Sequence, residues 1–305
     1  MEPTSLGRMR RHHAPEGVSI RTDPARDKRR VLLYAAALVA IYIVGVVFII
    51  ATHSQKDPQL GVLIIMFAPL AGALVARFAG PGVIQWGRLS WWMLAGLILE
   101  VTVFAAYAIG SPFGLDVANY GLLGKALLLS PIVIVIHSLD AVGEEAGWRG
   151  FLWPLMRRRW SFLISALVIG AVWWAYHLPL ILLGWYGSLA GLPAFTVALV
   201  GITLFIGVLT DRSRAVWPSV IAHGGWNALV ASGFAVAALP GTPSLAVFAG
   251  TTFWVGEFGW LAATASLATG CLATWWHLAR PMAAIEETPR ELPHGLPEAE
   301  RATVA

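Results

Sequence analysis

The sequence predicts an all-α fold: a polytopic membrane protein built as a bundle of about eight transmembrane helices. Three observations predict it. The 305 residues are 57% hydrophobic, with a mean hydropathy of +0.70. Only 12% are charged, against the ~25% usual in soluble domains. Apolar runs long enough to cross a bilayer as a helix, about 20 residues each, recur along the chain. The 15 Trp suit interfacial belts, where an indole N–H meets water. Cys271 is the only cysteine, which excludes an internal disulfide framework and a Cys-based zinc knuckle. The pI near 9.5 is not a nucleic-acid signature, because no basic patch alternates with aromatics on a soluble domain.

Residues 1–30 are polar, basic and rich in Pro, Gly, Ser and Thr, the composition of a disordered tail. Val31 to Thr52 is too long for a signal-peptide core and lacks a small-residue cleavage signature, so it reads as a membrane anchor. The further spans fall at 60–79, 90–110, 131–157, 160–178, 194–210, 215–238 and 257–279. Residues 118–130 are apolar too, with Lys125 among them. Ser130-Pro131 then interrupts the helical pattern, since a residue before Pro is pushed out of the α region. Residues 118–130 are therefore expected as a separate outer or re-entrant helix, with the fourth span starting at Pro131. Pro154 is expected to kink the far end of that span. The transmembrane domain thus covers 31–280, and 281–305 is a second polar, Pro-containing tail.

Lys and Arg set the orientation of such a bundle. Eighteen of the 21 fall in the amino tail, alternate connectors and the carboxyl tail. Lys56 and Lys125 fall on the other side, and Arg149 lies within a span. Both termini are expected in the cytoplasm.

Polar groups inside the apolar spans are the strongest functional signal, because an intramembrane charge costs roughly 2.5–3.5 kcal/mol at a helix centre. At ~1.5 Å per residue, Glu144 lies ~20 Å along its helix from Arg157, and His177 lies ~27 Å from Arg159. His223 and Asn227 lie ~14 Å and ~20 Å from Arg214. Separate spans therefore bring polar groups to overlapping depths, in a core at about 131–238. Glu145 and Arg149 are spaced i, i+4, so an ion pair along one helix face can offset their charges. Glu144 points elsewhere, about 100° round the helix. His223 and Asn227 also share a face, and Gly224 and Gly225 between them permit close approach of a neighbouring backbone. Trp173 precedes His177 by one turn, and Pro179 is expected to end that helix.

At these residues the sequence resembles the CPBP family, the CAAX-protease and bacteriocin-processing intramembrane proteases, also called the Abi family. The first family motif, Glu-Glu-x-x-x-Arg, corresponds to Glu144, Glu145 and Arg149, with Gly150 following. The second, an aromatic-x-x-x-His, corresponds to Trp173 and His177, with Trp in place of the commoner Phe. The third, His-x-x-x-Asn/Asp, corresponds to His223 and Asn227. The three stand in family order across the central third of the chain. The resemblance implies hydrolysis of a peptide bond within a lipid bilayer, on a peptide or membrane-protein substrate, in a bacterial plasma membrane.

The residues suit that task. A carboxylate in a low-dielectric cavity is a stronger base than one in water. Glu144 is assigned as general base, with His177 helping to hold the water. His223 and Asn227 are assigned as donors to the developing oxyanion. Glu145, Arg149 and Trp173 support them. This preferred mechanism requires no cofactor. The resemblance leaves a second course open, in which Glu144, His177 and His223 ligate Zn²⁺ and one position holds water. Two rival functions remain in view. A proton-coupled transporter would show broken helices in two related halves, and none is visible. A catalytically idle membrane scaffold or immunity protein of the same fold would have no need of three intact motifs. Of the other polar residues, Glu100 is read as structural. His137 and Asp140 are on the Glu144 side of their helix and are candidates to line a cavity. His277 is read as interfacial, beside Trp275 and Trp276, and Arg157 to Arg159 as a lipid-headgroup cluster.

Overall fold

The structure, a computed structural model, describes residues 24–77, 86–230, 235–236 and 245–280. The expected tails at 1–23 and 281–305 lie outside the described residues. Ten α-helices follow in order: α1 (Pro24–Ala51), α2 (Gln59–Met66), α3 (Ala68–Arg77), α4 (Leu89–Gly110), α5 (Leu123–Gly147), α6 (Trp153–Arg157), α7 (Phe162–Leu182), α8 (Leu192–Ser213), α9 (Trp217–Leu229) and α10 (Trp260–Leu278). Two antiparallel pairs of two-residue strands are the only sheet among the described residues. The protein is an all-α polytopic membrane protein. Six segments are long and apolar enough to span a membrane: 25–51, 59–76, 89–113, 120–157, 162–182 and 192–213. They correspond to the first six expected spans. The seventh, expected at 215–238, is described as the 13-residue α9, and part of its range lies outside the described residues. The eighth is the 19-residue α10, which falls below the hydropathy of a candidate span.

Helix ends differ from expectation where proline chemistry was overridden. The first helix begins at Pro24, so residues 24–30 belong to α1 rather than to a disordered tail. Proline's fixed φ and missing N–H suit a first helical position. Residues 123–130 are not a separate helix, because α5 runs unbroken through Pro131. The missing N–H of Pro131 leaves the Leu127 carbonyl without its helical donor, and the Ser130 hydroxyl lies 3.0 Å from that oxygen and replaces it. The same hydroxyl faces the Glu100 carboxylate on α4 and shares its one proton between the two acceptors, so Glu100 ties α4 to α5, in line with its structural reading. Pro179 likewise lies inside α7, which continues to Leu182. Pro154 produces no simple kink. A π-helical turn at Trp148–Leu152 precedes it, and the chain re-enters α-helix with Pro154 in the first turn of α6. The wider turn gives room for a ring that would otherwise strike the carbonyl one turn back.

The bundle is centred on α8, with 72% of its apolar window buried. Large apolar side chains on the outer helices remain exposed, among them Val47, Leu97, Ile132, Leu139 and Leu167. A lipid-facing surface requires this, since every backbone group is already bonded within its helix. At one end of the bundle, Asp27 on α1 accepts from Arg158 and Arg159, each at 3.1 Å. Beside it, Asp211 on α8 pairs with Arg157 at 3.0 Å and His277 at 3.4 Å, and accepts from the Trp153 indole at 2.8 Å. Arg157 to Arg159, expected as a headgroup cluster, each pair with a carboxylate of the protein as well. One expectation is corrected here. His277 is buried between Asp211 and Arg212 rather than interfacial. Single-sequence hydropathy could not show that Asp27 and Asp211 come to the same end.

At the opposite end, the segments 111–122 and 245–259 pack together. Val117 pairs with Ala249 and Ala118 with Phe248. Tyr107 secures this cap to α9: its hydroxyl donates to the Val230 carbonyl and accepts from the Gly256 N–H, both at 3.1 Å. Asp116 is tucked under the cap against Ser111, and burial pushes its carboxyl above the usual range despite the serine hydrogen bond.

Candidate active site

The site forms where α5, α7 and α9 meet. The approach of α9 to α5 depends on Gly224: a Cβ there would stand 2.6 Å from the Ser138 backbone N and Cα. That contact brings His223 against the carboxyl end of α5, where Glu144 and Glu145 are 2% and 0% exposed.

The adjacent glutamates have different surroundings, as their different helical faces require. Glu145 Oε1 accepts from Arg149 Nη1 at 2.9 Å and from His223 Nδ1 at 3.0 Å. The ion pair is fully enclosed, both side chains being 0% exposed. Arg149 Nε and Nη2 have no hydrogen bond, and its guanidinium lies over the Trp173 ring at 4.8 Å. That cation–π contact is the arginine's second support. Glu145 therefore neutralises Arg149 and orients His223.

Among the described residues, no cation lies within salt-bridge distance of Glu144. Its Oε2 accepts from the Trp173 indole at 2.5 Å and faces the Trp148 indole at 3.4 Å. Hydrogen bonds to a charged acceptor are the strong kind. They hold the carboxylate while leaving Oε1 without a protein donor among the described residues. On α7, His177 Nδ1 sits 2.8 Å from the Trp173 carbonyl one turn back. A carbonyl only accepts, so Nδ1 carries the proton and Nε2 is the basic nitrogen. Trp173 thus contacts both groups, and its ring also lies edge-on to His223 at 5.0 Å between centroids.

These side chains line one cavity of about 330 Å³, reached by Glu144, His177, His223 and Asn227 together. All four residues expected to act thus share one wall. Asn227 is half-buried there, one turn beyond His223. His137 and Asp140 line the cavity as well, 3.8 Å apart.

Four participants go beyond the sequence expectations: Trp148, Glu257 and the two donors to Glu257, Trp226 and Tyr186. The Trp148 indole reaches Glu144 along the helix, a spacing that was visible but not weighed. Glu257 also lines the cavity and accepts from the Trp226 indole at 3.1 Å and from the Tyr186 hydroxyl. It had been absorbed into the edge of the eighth span, whereas α10 starts only at Trp260. Burial, then the charge of Glu257, pushes the Tyr186 hydroxyl well above its ordinary value, so it stays a donor. As for a metal, each histidine has Nε2 free to ligate. Among the described residues, however, no three His, Cys, Asp or Glu side chains group closely enough to hold an ion. The Glu144, His177 and His223 set does not fit one metal as placed.

Comparison with known proteins agrees with the motifs. Residues 125–229 match the family described as type II CAAX prenyl endopeptidase Rce1-like. A CAAX prenyl protease 2 of Methanococcus maripaludis is 26% identical over 87 residues, 28% of this chain and 32% of that protein. The chain thus covers about a third of the length of this curated relative. The matched segment runs from the start of α5 to the end of α9 and contains every motif residue. Motif order and this match agree: the segment 125–229 is similar to the CAAX-protease, or CPBP, family.

Proposed function

We propose that this chain is an intramembrane endopeptidase that hydrolyses a peptide bond with water activated by Glu144. One observation carries the reading. Glu144 is pinned through Oε2 by indole N–H groups, keeps Oε1 free, and shares a cavity inside the bundle with His177, His223 and Asn227. A transporter reading has no comparable observation behind it.

In this mechanism water is held between Glu144 Oε1 and His177 Nε2. Glu144 takes a proton as the water oxygen attacks the peptide carbonyl. Asn227 donates its amide N–H to the resulting oxyanion. His223 has committed its Nδ1–H to Glu145, so it donates from Nε2 in the imidazolium form, which Glu145 stabilises. Glu144 then returns its proton to the leaving amine, and the C–N bond breaks. No step of this mechanism is routed through a metal. The substrate is a peptide or membrane protein, and the chain sits in a bacterial plasma membrane with both termini cytoplasmic.

The test compares the membrane proteome of cells carrying wild type with that of cells carrying Glu144→Gln. New amino termini present only with the wild type support the protease reading. Identical terminal profiles, with both proteins equally abundant, count against it. A membrane-permeant chelator should leave wild-type cleavage intact. Stoichiometric Zn²⁺ lost together with activity would overturn the metal-free chemistry and leave the protease reading standing.

A further inference from the structure

Glu257 and Asp140 are cavity carboxylates that the chemistry above does not use. The wall holds three carboxylates, Asp140, Glu144 and Glu257, and no Lys or Arg. Asp140 has His137 beside it, and Glu144 is the proposed base. Glu257 is half-buried and bonded only to the neutral donors Trp226 Nε1 and Tyr186 O–H. No cation lies within salt-bridge distance of it among the described residues. A carboxylate removed from bulk water without a counter-charge is costly, and neutral hydrogen bonds offset only part of that cost. An arriving cation would complete the pairing. Trp185, Tyr186 and Trp226 line the same cavity, and aromatic rings of this kind can add to the binding of a cation.

The position fits substrate recognition. Trp226, which holds Glu257, is the chain neighbour of Asn227. Tyr186, its other holder, lies 5.3 Å from the His177 ring between centroids. Glu257 is therefore tied to elements that flank the reacting centre, in the cavity that the same residues line. Its own segment comes from the cap at the end of the bundle, secured to α9 through Tyr107.

We propose that Glu257 forms a subsite for a cationic side chain, lysine or arginine, of the peptide substrate. This rests on the protease reading and names a preference within it. The competing explanation is that Glu257 merely fastens the cap to Trp226 and Tyr186. Glu257→Gln separates the two, because it keeps the size and a hydrogen-bonding oxygen while removing the charge.

The probe is a set of labelled decapeptides in which Lys is walked through each position, each with a Gln twin. Binding is measured to full-length Glu144→Gln protein in detergent, which holds peptide without cleaving it, and cleavage is measured with wild type. At one position, or two adjacent ones, the Lys peptide should bind about tenfold tighter than its twin, the scale of a charge-assisted hydrogen bond. The Lys-to-Gln ratio should fall to near one in Glu144→Gln/Glu257→Gln and be largely restored in Glu144→Gln/Glu257→Asp. A ratio near one at every position in Glu144→Gln overturns the subsite without needing any Glu257 variant. So does a ratio that survives Glu257→Gln. A Lys preference in binding, with no peptide cleaved by wild type, would sink the protease reading and leave the cationic subsite standing. Cleavage without preference would do the reverse.

Discussion

Trp173 does more at this site than occupy an aromatic position in a motif. Its N–H bonds Glu144, its carbonyl fixes the His177 tautomer, and its ring lies under Arg149. The commoner Phe could supply the last two but not the first. Trp173→Phe should therefore lower kcat about tenfold or more, the scale of one hydrogen bond to a charged group, with the helical circular dichroism unchanged. Asn227→Ala removes an oxyanion donor and should cost roughly 10²–10³ in kcat with KM little moved. The adjacent acids behave differently. Glu145→Gln strands a fully enclosed Arg149 and should cost about 3–5 kcal/mol of stability, read as a loss of folded yield and melting temperature. Glu145→Gln with Arg149→Met should recover part of that loss, and a double variant worse than the single would refute the pairing. The Glu145–Arg149 pair was legible in the sequence because helical spacing alone sets it. The second partner of Glu145, His223, was not, since it depends on how close α9 comes to α5.

That approach is a property of elements. Gly224 lies against the backbone of Ser138, so Gly224→Ala must push α9 from α5 or shift its register. Activity should fall although no reacting group has been altered, and crosslinking between cysteines replacing Ala141 and Val220, which pack together across the same two helices, should report the changed distance. Proline shows the limit of local rules. The residue-before-proline rule broke α5 at 130, yet Ser130 repairs the missing bond and joins Glu100 on α4 at the same time. Ser130→Ala should remove both contacts and cost about 1–3 kcal/mol, the penalty of unsatisfied buried polar groups, seen as a lower melting temperature in detergent. Span positions were legible because lipid demands long apolar helices. The π turn at 148–152 and the exact start of α10 were not, because packing decides them.

For the whole molecule, the basic residues of the connectors and the two acids that meet them gather at one end of the bundle, while Glu257 and its cap lie at the other. The arginine asymmetry assigns the first end to the cytoplasm. In a Cys271→Ser host, cysteines replacing Lys56 or Ser188 should label from outside intact cells, and one replacing Ser213 should not. Reversed labelling would invert the topology and place the cap in the cytoplasm. The convergence of Glu144, His177, His223 and Asn227 was legible from helix depth, because depth follows from residue count. The acidic lining contributed by Glu257 was not, because a loop carries no periodicity to read. The central claim is that Glu144 activates the hydrolytic water. Its most direct measurement is turnover of a cleaved peptide by purified wild type and Glu144→Gln, reconstituted side by side in liposomes at equal folded concentration. The account predicts that Glu144→Gln binds the peptide with similar affinity and releases no product above the uncatalysed rate. Product release by Glu144→Gln at a rate near that of the wild type would contradict it.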